Sequence, residues 1–296
     1  MGQVQVQNIT VVGAGSMGHQ IAMLCALGGF RTVLQDVNEE ALKKAGTILQ
    51  ELMAKWEAKG KVTAEQKEAA FSRLSFTASL EEAARHTDFV IEAVVEKLDV
   101  KRDVFAKLDE LAPAHAILAT NSSTIVNSLL ADVTKRPERV CNMHFFYPPL
   151  VMDCVEVVMS EQTAGETAQI AMDVCKQINR TGVLLRKEIS GFVANRILGA
   201  LMDEALHLYE QGIADFQDID FICKKALNHP IGPFALMDLS GLDVAYFVQQ
   251  QRYAETGDPK DMPHAAVVEK VQAGKLGRKT GEGWYSYQQK EEVKRP

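Results

Sequence analysis

From Asn8 to Val12 a short β-branched run ends in Gly13, and apolar positions at Ile21, Leu24, Cys25 and Leu27 then recur at helical spacing until Gly28-Gly29. A second apolar run, Thr32 to Leu34, ends at Asp36. Strand, glycine-rich turn, helix and strand in that order make a βαβ unit. Asn38 can cap the next helix, from Glu39 to about Lys59, where Leu42, Ile48, Leu49, Leu52, Met53 and Trp56 keep helical spacing. The polar loop Lys59-Gly60-Lys61 leads to a second helix over Ala64 to Arg73, so residues 39-75 read as a helical insertion projecting from the sheet.

Further strands are expected at Phe89 to Ile91, Ala116 to Ala119, Val140 to Met143, Val155 to Met159 and Val183 to Leu185, separated by helical stretches such as Lys101 to Leu111 and Glu166 to Ile178. This alternation predicts an α/β fold, a largely parallel, doubly wound sheet covered on both faces. After about Arg186 the pattern is helical throughout: Phe192 to Tyr209, Asp218 to Leu227, Pro233 to Gln250 and His264 to Ala273. The expected division is a Rossmann-like domain over 1-187 and a smaller all-α domain over 188-296, with a frayed tail from Lys290.

Composition narrows the function classes. The 296 residues carry 32 Lys plus Arg against 39 Asp plus Glu, a net charge of -7 that supplies no general field for nucleic acid. The five cysteines are odd in number and widely spread, with no zinc spacing, which points to reduced thiols in the cytoplasm and to no metal. No stretch has the length and apolarity of a membrane span, and the opening residues show no targeting pattern.

Gly13-Ala14-Gly15-Ser16-Met17-Gly18 is a G-x-G-x-x-G pattern that follows a strand and opens a helix. In that context Gly13 allows the tight turn, Gly15 lets backbone approach a pyrophosphate and Gly18 lets the helix pack on the strand. Asp36 closes the next strand, where a carboxylate bonds ribose hydroxyls and repels a 2′-phosphate; Val37 offers no cation to accept one. NAD is expected over NADP. A second polar constellation runs from Thr120-Asn121-Ser122-Ser123-Thr124, after a strand, to His144 at the end of the next and Glu156 beyond a proline turn. A histidine that removes a hydroxyl proton needs its other nitrogen held by an acceptor, and His144 with Glu156 meets that need, although on pattern alone a partly buried histidine near a strand end is more often structural. The other histidines read as solvated or locally satisfied, Phe145-Phe146 as acyl-pocket or core, and Lys55, Lys59 and Lys61 as phosphate contacts or simply a wet helix face.

The strings VVGAGSMGHQIA, VIEAVVEKLDVK, TNSSTI, HFFYPP with VEVV, GFVANRIL, HPIGPFALMDLSGLD and LGRKTGEGWYSY follow one another along nearly the whole chain. In these the sequence resembles the L-3-hydroxyacyl-CoA dehydrogenases, most closely the compact bacterial 3-hydroxybutyryl-CoA type. The resemblance implies His144 as general base, Glu156 as its orienting carboxylate, and Ser123 and Asn195 as contacts of the substrate's 3-oxygen, with Ser123 also near the nicotinamide. It places Glu96 and Lys101, with the glycine turn and Asp36, among the cofactor contacts. Lys55, Lys59 and Lys61 fall in the region that folds over CoA, and the C-terminal helices match those that pair in a homodimer. Many relatives carry Asn directly after His-Phe-Phe, where this chain has Tyr147. Two alternatives share the architecture: a free sugar-acid dehydrogenase of the gulonate type and a non-catalytic, NAD-binding crystallin-like protein.

Overall fold

The apolar run at the N-terminus becomes the inner strand β1 (Asn8–Val12), and the computed structural model, which describes residues 5–287, builds a single sheet outward from it. After it come α1 (Gly18–Leu27), β2 (Arg31–Gln35), α2 (Glu39–Ala58), α3 (Ala64–Arg73), β3 (Leu74–Thr77), α4 (Leu80–Ala84), β4 (Phe89–Glu92) and α5 (Leu98–Leu111). The sheet is completed by β5 (Ile117–Thr120), the short α6 (Ser128–Ala131), β6 (Val140–Phe145), β7 (Cys154–Val158), α7 (Gly165–Gln177) and β8 (Thr181–Leu185). The chain divides into two compact units between Phe192 and Val193.

In the first unit the strand order is β3-β2-β1-β4-β5-β6-β7-β8. Among the described residues every pairing is parallel except that of β6 with β7. The chain reverses its direction of winding between β1 and β4, and the crevice beyond the carboxyl ends of those strands is where open α/β sheets bind ligands. Strands β4 and β5 are buried at every position, as expected for a sheet covered on both faces. Asn38 caps α2 as its side chain allows, accepting from the N–H groups of Glu40 and Ala41.

The helical excursion over 39-75 connects two strands of the sheet. Leu42, Ala45, Leu49 and Met53 of α2 and Ala70 of α3 join the same buried cluster as β1 and α1, and Leu74 opens β3, which pairs with β2. The two helices are therefore the crossover between neighbouring parallel strands, and their buried side chains share the core of β1 and α1. β3 escaped the sequence because it is four residues long and buries only Leu74.

The second unit is helical: α8 (Ala194–Glu210), α9 (Phe216–Lys225), α10 (Pro233–Ser240), α11 (Leu242–Thr256) and α12 (Ala265–Gln272). The single helix expected over Pro233 to Gln250 is broken at Gly241, whose φ of 103° lies where only glycine rests without strain. Its core gathers Leu206, Phe234, Met237 and Trp284, with the Phe234 and Trp284 rings 4.5 Å apart and near edge-on. Two buried acids fasten it. Asp220 accepts from the N–H groups of Phe234 and Ala235, and Asp238 accepts from those of Trp284 and Tyr285 and from the Tyr287 hydroxyl. The tail expected to fray from Lys290 lies outside the described residues.

Candidate active site

The glycine turn is built as its pattern demands. Gly13 has φ 105°, and a Cβ there would stand 2.6 Å from the Ala93 carbonyl oxygen; one at Gly18 would run into the Gly13 carbonyl. A Cβ at Gly15 would meet nothing within 4 Å, so its backbone faces open space. No side chain caps the start of α1 at Met17, which leaves N–H groups beside Ser16 and Met17 for an anion. Asp36 Oδ2 accepts from the Ala14 N–H at 2.8 Å and Oδ1 from the Asn38 N–H at 2.9 Å, which fastens the turn to the end of β2. An open, donor-rich turn beside a carboxylate, with Val37 exposed and uncharged next to it, fits a dinucleotide without a 2′-phosphate.

Glu96 and Lys101 come together, but not in the same way. Lys101 is 1% exposed and its Nζ lies 2.7 Å from Glu92 Oε1 and 3.2 Å from Glu96 Oε2. Glu92, itself fully buried on β4, also accepts from the Thr120 hydroxyl at 2.7 Å. Glu96 Oε1 accepts from the hydroxyl of Ser122, the N–H groups of Ser123 and Thr124 and the Thr124 hydroxyl. Burial alone would raise the Glu96 carboxyl; the Lys101 ammonium and the Ser122 hydroxyl outweigh it and hold the group below the usual carboxylate range. Lys101 is thus spent on two carboxylates, and Glu96 grips the loop that carries Ser123. On its other side the loop is held by Asn121 Oδ1, which accepts from the Phe145 N–H at 2.9 Å.

His144 and Glu156 are directly opposed in the antiparallel pairing of β6 with β7. Their side chains meet at 2.8 Å, Nδ1 to Oε2, with 6% and 4% of their surfaces exposed. A carboxylate only accepts, so Nδ1 carries the hydrogen and Nε2 is the face left for substrate. Phe146 and Phe192 tilt against the imidazole with centroids 4.6 and 5.5 Å away. Phe145, by contrast, is buried in the sheet core. Phe192 is fully buried with φ 48°, a conformation uncommon for a bulky side chain and found where surrounding packing enforces it.

A cleft of about 600 Å³ opens beside the glycine turn, between Gly15, Ser16, His19 and Gln20, the α2 stripe Lys44, Ile48, Leu52 and Trp56, and the turn Tyr147 to Val151. Tyr147 is exposed along it. Lys44, not Lys55, Lys59 or Lys61, is the lysine lining this cleft; Lys61 lies 5.3 Å over the Trp56 ring, and Lys55 and Lys59 are exposed. Asn195 stands in the first turn of α8, in the helical unit. Sequence reasoning missed Lys44, His19, Glu92 and Phe192. The i, i+4 repeat Lys44, Ile48, Leu52, Trp56 was the available signal for the first.

Residues 8–189 match the NAD-binding domain of 3-hydroxyacyl-CoA dehydrogenase, and residues 191–287 match its C-terminal domain. The chain belongs to the 3-hydroxyacyl-CoA dehydrogenase family. It is similar to the 3-hydroxybutyryl-CoA dehydrogenase of Clostridioides difficile, 38% identical over 279 residues that cover 94% of this chain and 99% of that one. The mitochondrial hydroxyacyl-coenzyme A dehydrogenase of Sus scrofa is 36% identical over 292 residues, 96% of this chain and 92% of its own. Among solved structures, the (S)-3-hydroxybutyryl-CoA dehydrogenase of Ralstonia eutropha superposes with a TM-score of 0.90 at 36% identity, covering 96% of this chain and all of the other. As a 3-hydroxyacyl-CoA dehydrogenase the chain is an NAD-dependent oxidoreductase, and the comparisons favour neither the sugar-acid nor the crystallin-like alternative.

Proposed function

We propose that the chain interconverts short-chain L-3-hydroxyacyl-CoA and 3-ketoacyl-CoA thioesters, of the 3-hydroxybutyryl size, with His144 as general base. The observation that carries this reading is the buried 2.8 Å pairing of His144 with Glu156. Gly13, Gly15, Ser16, Met17, Gly18 and Asp36 hold NAD, which supplies the hydride acceptor when bound. His144 Nε2 takes the proton of the 3-hydroxyl, and Glu156 stabilises the imidazolium that forms. In the reducing direction the imidazolium returns that proton. Ser123 and Asn195 donate to the 3-oxygen as it gains charge. Glu96, braced by Lys101, holds the Ser123 loop and its side of the cofactor site. Residues 188-296 form the substrate and dimerisation domain, and the apolar side chains left exposed on its helices, Ile197, Phe221 and Phe247 among them, support a homodimer. Lys55, Lys59 and Lys61 meet the CoA phosphates.

The test is acetoacetyl-CoA-dependent oxidation of NADH by wild type and His144→Gln. Loss of a positioned general base costs about 10²–10⁴-fold in kcat, with NADH binding retained. A variant with near wild-type turnover would sink the assignment. Free 3-hydroxy acids run in parallel check that the thioester is required.

A further inference from the structure

We propose that His19 is a proton-linked anion contact of the glycine-rich turn, which takes up a proton at Nε2 when a phosphate group enters the cleft beside it. The inference deepens the reading of this site as the place of a dinucleotide and a CoA thioester, both of which carry phosphates.

His19 is the second residue of α1 and lines the cleft together with Gly15, Ser16 and Lys44. It is 6% exposed. Its Nδ1 lies 2.5 Å from the Gly15 carbonyl oxygen. A carbonyl can only accept, so Nδ1 carries a hydrogen and the tautomer is fixed. A further proton therefore has one place to go, Nε2, for which no hydrogen-bond partner is found among the described residues. Burial is the main influence on the ring and depresses its basicity, with the Gly15 bond opposing in part, so the free protein holds His19 neutral at pH 7.

The titratable groups that share the cleft are Lys44 from α2 and Tyr147 from the turn after β6; Ser16 and Gln20 on α1 are uncharged. The Lys44 ammonium opposes a second cation nearby. An incoming phosphate reverses that balance, because its charge draws both Lys44 and a protonated His19. A ring made more basic by the ligand binds protons as the complex forms. By linkage, affinity then rises as pH falls through the basicity of the complex and levels off below that of the free protein. This also gives a chain of net charge -7 a local cation that exists only when an anion is present.

The experiment is isothermal titration calorimetry of the full chain at pH 7 in two buffers of different ionisation enthalpy, with NADH and, separately, with CoA. The slope against buffer enthalpy gives protons taken up per ligand. His19→Asn is the matched variant, since its amide can still donate to the Gly15 carbonyl but offers nothing at the Nε2 position. CoA carries its own phosphomonoester with a pKa of about 6, so the quantity read is the difference between wild type and His19→Asn. A few tenths of a proton present in wild type and lost in the variant is expected, with wild-type Kd tightening several-fold from pH 8 to pH 6. Uptake with NADH alone assigns the pyrophosphate, uptake with CoA alone assigns a CoA phosphate, and both together assign a shared site. No uptake with either ligand, or uptake unchanged in His19→Asn, overturns the proposal. If His19→Asn does not fold, ¹⁵N spectra of the wild-type imidazoles decide: one ring must pass from the neutral Nδ1–H form to imidazolium on ligand addition. Turnover of acetoacetyl-CoA in the same preparation reports separately on the dehydrogenase reading, so either can fail alone.

Discussion

His144 and Glu156 are cross-strand partners in the antiparallel pairing of the sheet, so their Cβ atoms leave the same face and the 2.8 Å contact follows from register. Glu156→Gln keeps the shape but removes the charge that stabilises an imidazolium and allows the ring to turn over. A fall in kcat of roughly 10²–10⁴-fold is expected, the scale seen when the carboxylate behind a catalytic histidine is neutralised. Steady-state kinetics with acetoacetyl-CoA, alongside circular dichroism to check the fold, measures it.

Phe192 packs its ring against the His144 imidazole, centroids 5.5 Å apart, from a left-handed backbone. Phe192→Ala is expected to cost about 3–5 kcal/mol in unfolding free energy, the range for emptying a buried aromatic site. Beyond that, a loose His144 ring should lower kcat about tenfold while the Kd for NADH stays put. Phe192→Leu, which refills much of the space, should restore most of the rate. Equal losses in kcat and NADH binding for both variants would reduce Phe192 to a packing residue.

Among the described residues Lys101 is the sole cation paired with the two carboxylates Glu92 and Glu96, the first of them fully buried. Lys101→Met should destabilise the fold by about 3–5 kcal/mol, because breaking a buried ion pair leaves an uncompensated charge. The pH dependence has a definite sign. Glu96 titrates below its unfolded value, so the stability it contributes is complete above about pH 4.5 and is lost as pH falls through its lower folded value. In Lys101→Met that part of the acid transition should flatten. Urea unfolding at a series of pH values from 3 to 7 reads both effects.

Asp238 gathers the segment that carries Trp284, Tyr285 and Tyr287 onto α10. Asp238→Ala strands two backbone N–H groups and a hydroxyl, and a loss on the order of 3–5 kcal/mol is expected. Limited proteolysis should open new cleavage near residues 276–287, and the melting temperature of the variant should fall. Protection equal to wild type would show that the apolar cluster around Phe234 alone holds the segment.

The βαβ unit was legible because Gly13, Gly18 and Asp36 do work that few other residues can do at those places, and sequence spacing alone reports it. His144 was legible as a strand end and Glu156 as a position on the strand beyond the proline turn. Their pairing was an expectation from chemistry, but the register that sets them directly opposite each other was not legible, since it depends on the turn from Phe146 to Asp153. Lys101 stands in a motif string, yet its burial comes from the way the first turn of α5 lies against the end of β4, with Glu92 and Glu96 flanking its ammonium, and cannot be read from a helix pattern. Phe192 was hidden for a similar reason: its ring reaches His144 across long sequence separation, and no local periodicity marks a left-handed turn after Gly191.

Asp36 already accepts from Ala14 on one side and Asn38 on the other. The two arms of the dinucleotide site are therefore tied to each other before any ligand arrives. Little chain disorder remains to be lost on association, and encounter need not wait for a loop to find its shape. The consequence is kinetic: binding of NADH in stopped flow should be a single concentration-dependent phase, its rate set by diffusion and docking orientation.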